Sequence, residues 1–247
     1  MDLGLDGHTA VVCGASSGIG RAIAEALTEE GARVAMFARR RDLLEREADR
    51  LGALAVRGDL TNPRDLERLL DKTLEAFGAL DILVVNGGGP PRGPAIGLAA
   101  PAVEAAVELL LVSAVRLVGL CLPHLEQSGR GRIVCIESST VREPADNLVL
   151  SNAVRPGVVG WAKTLAREVG PKAVTVNTIA PGRIDTARLA EVYPDGPSAD
   201  DLAPIPLRRL GTPREIANVV CFLASEQAAY VTGAVIPVDG GLTRFLL

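Results

Sequence analysis

The sequence predicts a doubly wound α/β fold, and three observations carry that prediction. Seven short runs, at 9–13, 33–37, 54–56, 82–85, 132–136, 175–179 and 234–238, read as strands apolar on both faces, as in a covered parallel sheet. Segments of helical period lie between them, so strand and helix alternate along the chain. The first run breaks into a glycine-rich turn that opens a helix. In such a fold a ligand sits at the carboxyl ends of the strands.

Composition narrows the class. The chain has 247 residues, 48% hydrophobic and 23% charged, which supplies a sizeable core, and only 3% aromatics, so aliphatic packing must fill it. A net charge of −4 gives no basic excess for a nucleic-acid or anionic-membrane surface, so small-molecule chemistry is expected. Cys13, Cys121, Cys135 and Cys221 are scattered and read as buried free thiols of a reducing compartment, with no metal-like spacing. The N-terminus lacks the basic and apolar regions of a signal peptide, and the most apolar long segment, 103–122, carries Glu104, Glu108 and Arg116. The expectation is a soluble cytoplasmic protein of one domain, 1–247, with no membrane or nucleic-acid partner.

Taken in order, the stretch from Thr9 to Leu27 is strand, tight turn and helix. Gly14, Gly18 and Gly20 space the turn as G-x-x-x-G-x-G. Glycines let the backbone turn sharply and approach a bound group, and the helix start offers free N–H groups at a positive dipole end. Together they make an anion site suited to a dinucleotide pyrophosphate. At the end of the second strand Ala38 stands where a free ribose 2'-hydroxyl would favour an acid, and Arg39, with Arg40 or Arg41, offers a fork for a 2'-phosphate. NADP(H) is therefore expected over NAD(H). The proline-rich stretch 188–207 follows a strand end and is expected to cover substrate. The segment 103–122 is apolar nearly all round, more than one sheet can cover, and predicts a dimer at least.

The ordered set C-G-A-S-S-G-I-G (13–20), R-G-D-L (57–60), L-V-V-N-G-G-G (83–89), I-V-C-I-E-S-S (133–139), V-N-T-I-A-P-G-R-I-D-T (176–186) and Y-V-T-G-A-V-I-P-V-D-G-G (230–241) resembles the short-chain dehydrogenase/reductase family, in particular its ketoreductases of the 3-oxoacyl-carrier-protein reductase kind. The resemblance covers essentially the whole chain. It implies a single-domain Rossmann-type sheet of about seven strands, usually a homotetramer, acting on a small-molecule carbonyl or alcohol. Carried over by position, Gly14, Ser16, Ser17, Gly18 and Ile19 would line the pyrophosphate. Asp59 and Leu60 would lie at the adenine, Asn86 and Gly88 at the adenosine ribose, and Pro181, Gly182, Ile184 and Thr186 at the nicotinamide end.

One motif departs from the pattern. The family uses a serine, a tyrosine 13 residues on, a lysine four further, and an asparagine in the preceding long helix. Ser138 fills the serine slot, but the tyrosine slot holds Ser151, the lysine slot holds Arg155, and the asparagine slot near 110 is apolar. A serine hydroxyl is a far weaker acid than a phenol, so Ser151 is expected at most to orient a water. Arg155 is expected to bond ribose hydroxyls without relaying protons. If reduction occurs an acid must come from elsewhere, and Glu137, Glu143 and Asp146 are near the strand end, although each is expected rather as a solvated or capping carboxylate. Three functions stay open on these residues: an NADP(H)-dependent oxidoreductase with an altered proton donor, a non-catalytic NADP-binding sensor or assembly protein, and an enzyme of another kind that uses the same cleft without hydride transfer.

Overall fold

Each of the seven apolar runs is a strand in the computed structural model, which describes residues 2–190, 193 and 195–246. They are β1 (Thr9–Cys13), β2 (Arg33–Ala38), β3 (Leu54–Arg57), β4 (Ile82–Val85), β5 (Arg132–Ile136), β6 (Thr175–Pro181) and β7 (Val235–Val238). All pair in parallel in one sheet of order β3-β2-β1-β4-β5-β6-β7. The order reverses between β1 and β4, so a crevice opens beyond their carboxyl ends.

Period-two alternation splits the core. Ala10, Val12, Met36, Ile82 and Val84 point to one face, where α1 (Gly18–Glu29) and α9 (Pro213–Ala224) cover them with Ile23, Leu27, Ile216 and Val220. Val11, Cys13, Leu83 and Val85 point to the other, under α3 (Pro63–Phe77), α5 (Ser113–Gln127) and α6 (Val149–Val169). Each large aliphatic side chain buried this way stabilises the fold by about 1.5–3 kcal/mol. The remaining helices are α2 (Arg41–Leu51), α4 (Ala100–Val107) and two single turns, α7 (Ala187–Ala190) and α8 (Ala199–Leu202).

The apolar segment 103–122 lies in a continuous helix, Ala100–Gln127, in which α4 passes into α5 through a π turn, Glu108–Val112. Ser113 Oγ donates to the Leu109 carbonyl (2.6 Å), four residues back within that turn. Leu110, in the asparagine slot, is buried against Leu150, Val154 and Val158 of α6. By length and composition this helix could cross a membrane, with a mean hydropathy of 2.1, but 39% of its most apolar window is already buried inside the protein. The stretch 188–207 contains α7 and α8 joined by irregular chain; Pro194, with Glu191 and Val192, lies outside the described residues.

Candidate active site

The crevice is built first by glycines. Gly14 has φ +64°, and a Cβ there would sit 2.7 Å from Asn86 Nδ2; a Cβ on Gly20 would meet the Gly14 carbonyl at 2.3 Å. Only glycine lets the turn after β1 fold this tightly. Asn86, just past β4, donates from Nδ2 to the Cys13 carbonyl (3.1 Å) and so fixes the turn to the sheet. At its end α1 begins with Ser17 as N-cap. Among the described residues that helix start has no side-chain cap hydrogen bond and no acid in its first turn. The starts of α3 and α9 differ: Asn62 accepts from Arg64 N, and Thr212 with Glu215 forms a reciprocal capping box. The first N–H groups of α1 thus lack a side-chain acceptor and face open space beside side-chain-free backbone. A dinucleotide pyrophosphate fits that donor set and contour.

A cleft of about 370 Å³ runs from this turn across the sheet. Ser17, Gly18, Ile19, Asn86, Gly88, Ser138, Ser151, Arg155, Pro181, Gly182, Ile184 and Thr186 all line it. Gly14 and Ser16 are not among the residues that line it. Arg40 reaches back over the turn, donating to Ser17 Oγ (2.5 Å) and Ser16 Oγ (3.4 Å). Arg39 instead points away, 3.8 Å from Asp59, and the two share a second hollow of about 400 Å³ with Arg57, Asp65 and Arg68. Asp59 Oδ1 also accepts from the Thr61 N–H and hydroxyl, both at 2.9 Å. Leu60 extends toward Gly87, where its Cδ1 is 4.0 Å from the position a Cβ would take.

The far wall is where β5 ends and α6 begins. Ser138 caps a short 3-10 turn, its hydroxyl accepting from Thr140 N at 3.2 Å. Thr140 Oγ1 lies 3.0 Å from Ser151 Oγ, and Ser151 accepts from Arg155 Nε at 3.1 Å. Arg155 Nη1 donates to Glu137 Oε2 at 2.9 Å, and Nη2 to the Gly88 carbonyl at 3.4 Å. Ser151 is therefore tied on both sides inside the protein, and the Arg155 guanidinium is shared among three acceptors rather than held out for a ribose.

Glu137 corrects an expectation. Read as a solvated or capping carboxylate, it is instead a buried wall of the cleft, with a side chain 5% exposed beside an Arg155 that is 8% exposed. Asp146 is exposed as expected, and Glu143 accepts from Arg244 N at 3.2 Å. Burial pushes Glu137 up to about 6, although Arg155 pulls the other way. The available signal was a charged residue directly after a strand that is otherwise apolar. Arg188 was also passed over. Its guanidinium fills the space beside Gly89 and donates to the Pro90 carbonyl (2.9 Å), joining the chain after β6 to the chain after β4 across the cleft.

Comparison with known proteins agrees with this geometry. The family model described as enoyl-(acyl carrier protein) reductase matches residues 14–243. The chain is 38% identical over 244 residues to 3-oxoacyl-[acyl-carrier-protein] reductase FabG of Vibrio cholerae, covering 97% of this chain and 99% of that one. Its fold superposes with TM-score 0.91 on the L-sorbose reductase of Gluconobacter frateurii solved with NADPH and L-sorbose, 32% identical over the whole of both chains. It superposes with TM-score 0.92 on YwfH, an NADPH-dependent reductase involved in bacilysin biosynthesis, at 26% identity over 97% of this chain and 99% of that one. With a seven-stranded parallel sheet, a glycine cradle at its first helix and relatives matched along nearly their full length, the chain belongs to the short-chain dehydrogenase/reductase family of oxidoreductases.

Proposed function

We propose that the protein is a cytoplasmic NADP(H)-dependent oxidoreductase that interconverts a small carbonyl compound and its alcohol, with a proton donor other than the family's tyrosine. The observation that carries this reading is the cradle at α1. Its free N–H groups and glycines would hold the pyrophosphate between Gly14 and Ile19, and a 2'-phosphate would draw on Arg40, which lies over the turn, and on Arg39 turning from Asp59. Asp59 and Leu60 would border the adenine, Asn86 and Gly88 the ribose, and Pro181, Gly182, Ile184 and Thr186 the nicotinamide end. When bound, NADPH supplies the hydride that forms the new C–H bond at the carbonyl carbon.

Around that carbon the chain's own residues have separate tasks. Ser138 would position the carbonyl oxygen, while Ser151, Thr140 and Arg155 keep the wall rigid through their shared hydrogen bonds. The segment 188–207 would cover the substrate, anchored over the cleft by Arg188. The outward face of the helix Ala100–Gln127, where Val115 is 42% exposed, supports assembly into a homodimer or homotetramer. Titration with NADPH and NADH, followed by cofactor oxidation against a panel of carbonyl compounds, tests the reading. NADPH should bind tighter and be consumed with at least one carbonyl compound.

A second reading is favoured by Ser151 and Arg155, which stand in the tyrosine and lysine slots. In it the protein binds NADP(H) without turnover, as a sensor or assembly partner. Tight NADPH binding with no consumption across the panel would select it.

A further inference from the structure

The proposed reductase leaves one chemical position unfilled, because a serine hydroxyl such as that of Ser151 is too weak an acid to give a proton. Glu137 is the only other acid among the described residues that line the cleft. It follows β5 directly, its N–H bound to the Ile179 carbonyl (2.9 Å), so the backbone beneath it is fixed by the sheet. Ser138 is its neighbour in the chain and shares the same wall. The Arg155 pair holds the carboxyl in one orientation, and Arg155 is itself held by Ser151 Oγ and the Gly88 carbonyl.

Resting on the reductase reading, we propose that Glu137 is the catalytic acid, delivering a proton to the carbonyl oxygen held at Ser138. As hydride arrives at carbon, the electron pair of the C=O bond moves to oxygen and the new O–H bond forms with the Glu137 proton. The Glu137 carboxylate left behind is balanced by Arg155 and takes its next proton from water. In the oxidation direction the same carboxylate accepts the alcohol proton. Arg155 is then a positioning residue that stabilises the ionised product state of the acid.

The electrostatics agree with the geometry. The charged group acting on Glu137 from the elements packed around it is Arg155 of α6, and the thiol of Cys135, two residues back on β5, is itself pushed up by burial. Desolvation outweighs Arg155, so the carboxyl titrates near 6 and keeps a protonated fraction close to neutrality, as a general acid needs.

The test measures carbonyl reduction by the NADPH-loaded enzyme across pH, together with the infrared carboxyl signal of the protein. The intact protein should lose kcat/KM by a one-proton step as pH rises through about 6, and a buried carboxyl band should titrate over the same range. Glu137→Gln should lower kcat by about 10²–10⁴-fold, remove both the pH limb and the band, and leave NADPH affinity within about threefold. Glu137→Asp should restore part of the rate with its pH limb. Retained rate and an unchanged pH profile in Glu137→Gln would overturn the assignment while leaving the reductase standing. A carboxyl band that persists in Glu137→Gln would overturn it too. NADPH binding without turnover in the intact protein would overturn the reductase reading itself.

Discussion

The two walls of the cleft are built from different materials. On the β1–α1 side the ligand-facing groups are backbone: N–H groups at a helix start without a side-chain cap, on a turn where a Cβ at Gly14 or Gly20 would collide and Gly18 has φ +55°. On the β5–α6 side they are side chains, Ser138, Ser151, Arg155 and Glu137; the last three are hydrogen-bonded in series and backed by Thr140 Oγ1, while Ser138 Oγ accepts from the Thr140 backbone N–H. Backbone surfaces are set by the fold and tolerate change in most residue types, whereas a side-chain wall can be rewritten residue by residue. On the proposed reading, the first wall would hold the dinucleotide and the second would carry the proton chemistry.

The comparison breaks most sharply at Arg155. Arg155→Ala leaves the Glu137 carboxyl buried with its charge uncompensated, and removing one partner of a buried pair costs about 3–5 kcal/mol. The loss should be full at pH 8 and smaller at pH 5, where Glu137 is protonated; urea denaturation at both values measures it. A loss below about 1 kcal/mol at pH 8 would mean the pair is solvated. A related effect appears in the intact protein. Folding raises Glu137 from its ordinary 4.5 to about 6, so the native state binds that proton more tightly than the unfolded chain does. Its favourable contribution is complete below about 4.5 and is lost as pH rises through 6, about 2 kcal/mol in all. Glu137→Gln should flatten that segment of the stability–pH curve.

On the backbone-built side the effects fall on binding rather than folding. Arg39→Asp should reverse the cofactor order, moving a preference for NADPH of about tenfold, or 1.4 kcal/mol, toward NADH. Equal dissociation constants for the two cofactors in the parent would remove the basis for that assignment. The smallest effect compares helix starts. Thr212→Ala removes one half of a capping box and should cost about 1 kcal/mol of stability, while Ser17→Ala, which removes no cap bond, should leave the melting curve nearly unchanged. A comparable loss in both would mean that Ser17 serves its helix and not a ligand.

Much of the fold was legible because its signals are local. Apolar runs and glycine turns place all seven strands, and the structure only moves their ends, carrying β2 to Ala38 and β6 to Pro181. The π turn at Glu108–Val112 was not legible, since one widened turn leaves an apolar stretch looking helical throughout. The cradle was readable from Gly14, Gly18 and Gly20. The Glu137–Arg155 pair was not: the residues are 18 apart, and their meeting depends on how the end of β5 faces the first turns of α6. Arg188 was hidden for the same reason, because its seat beside Gly89 is 99 residues away in the chain.

The most direct test of the reductase reading is deuterium transfer. The protein is loaded with NADPH deuterated at the reactive carbon, mixed in single turnover with the carbonyl compounds that consume cofactor, and the product alcohols are weighed by mass spectrometry. The account predicts an alcohol heavier by the one deuterium now bonded to the former carbonyl carbon. Bound cofactor that retains its label in the presence of every carbonyl compound would contradict it.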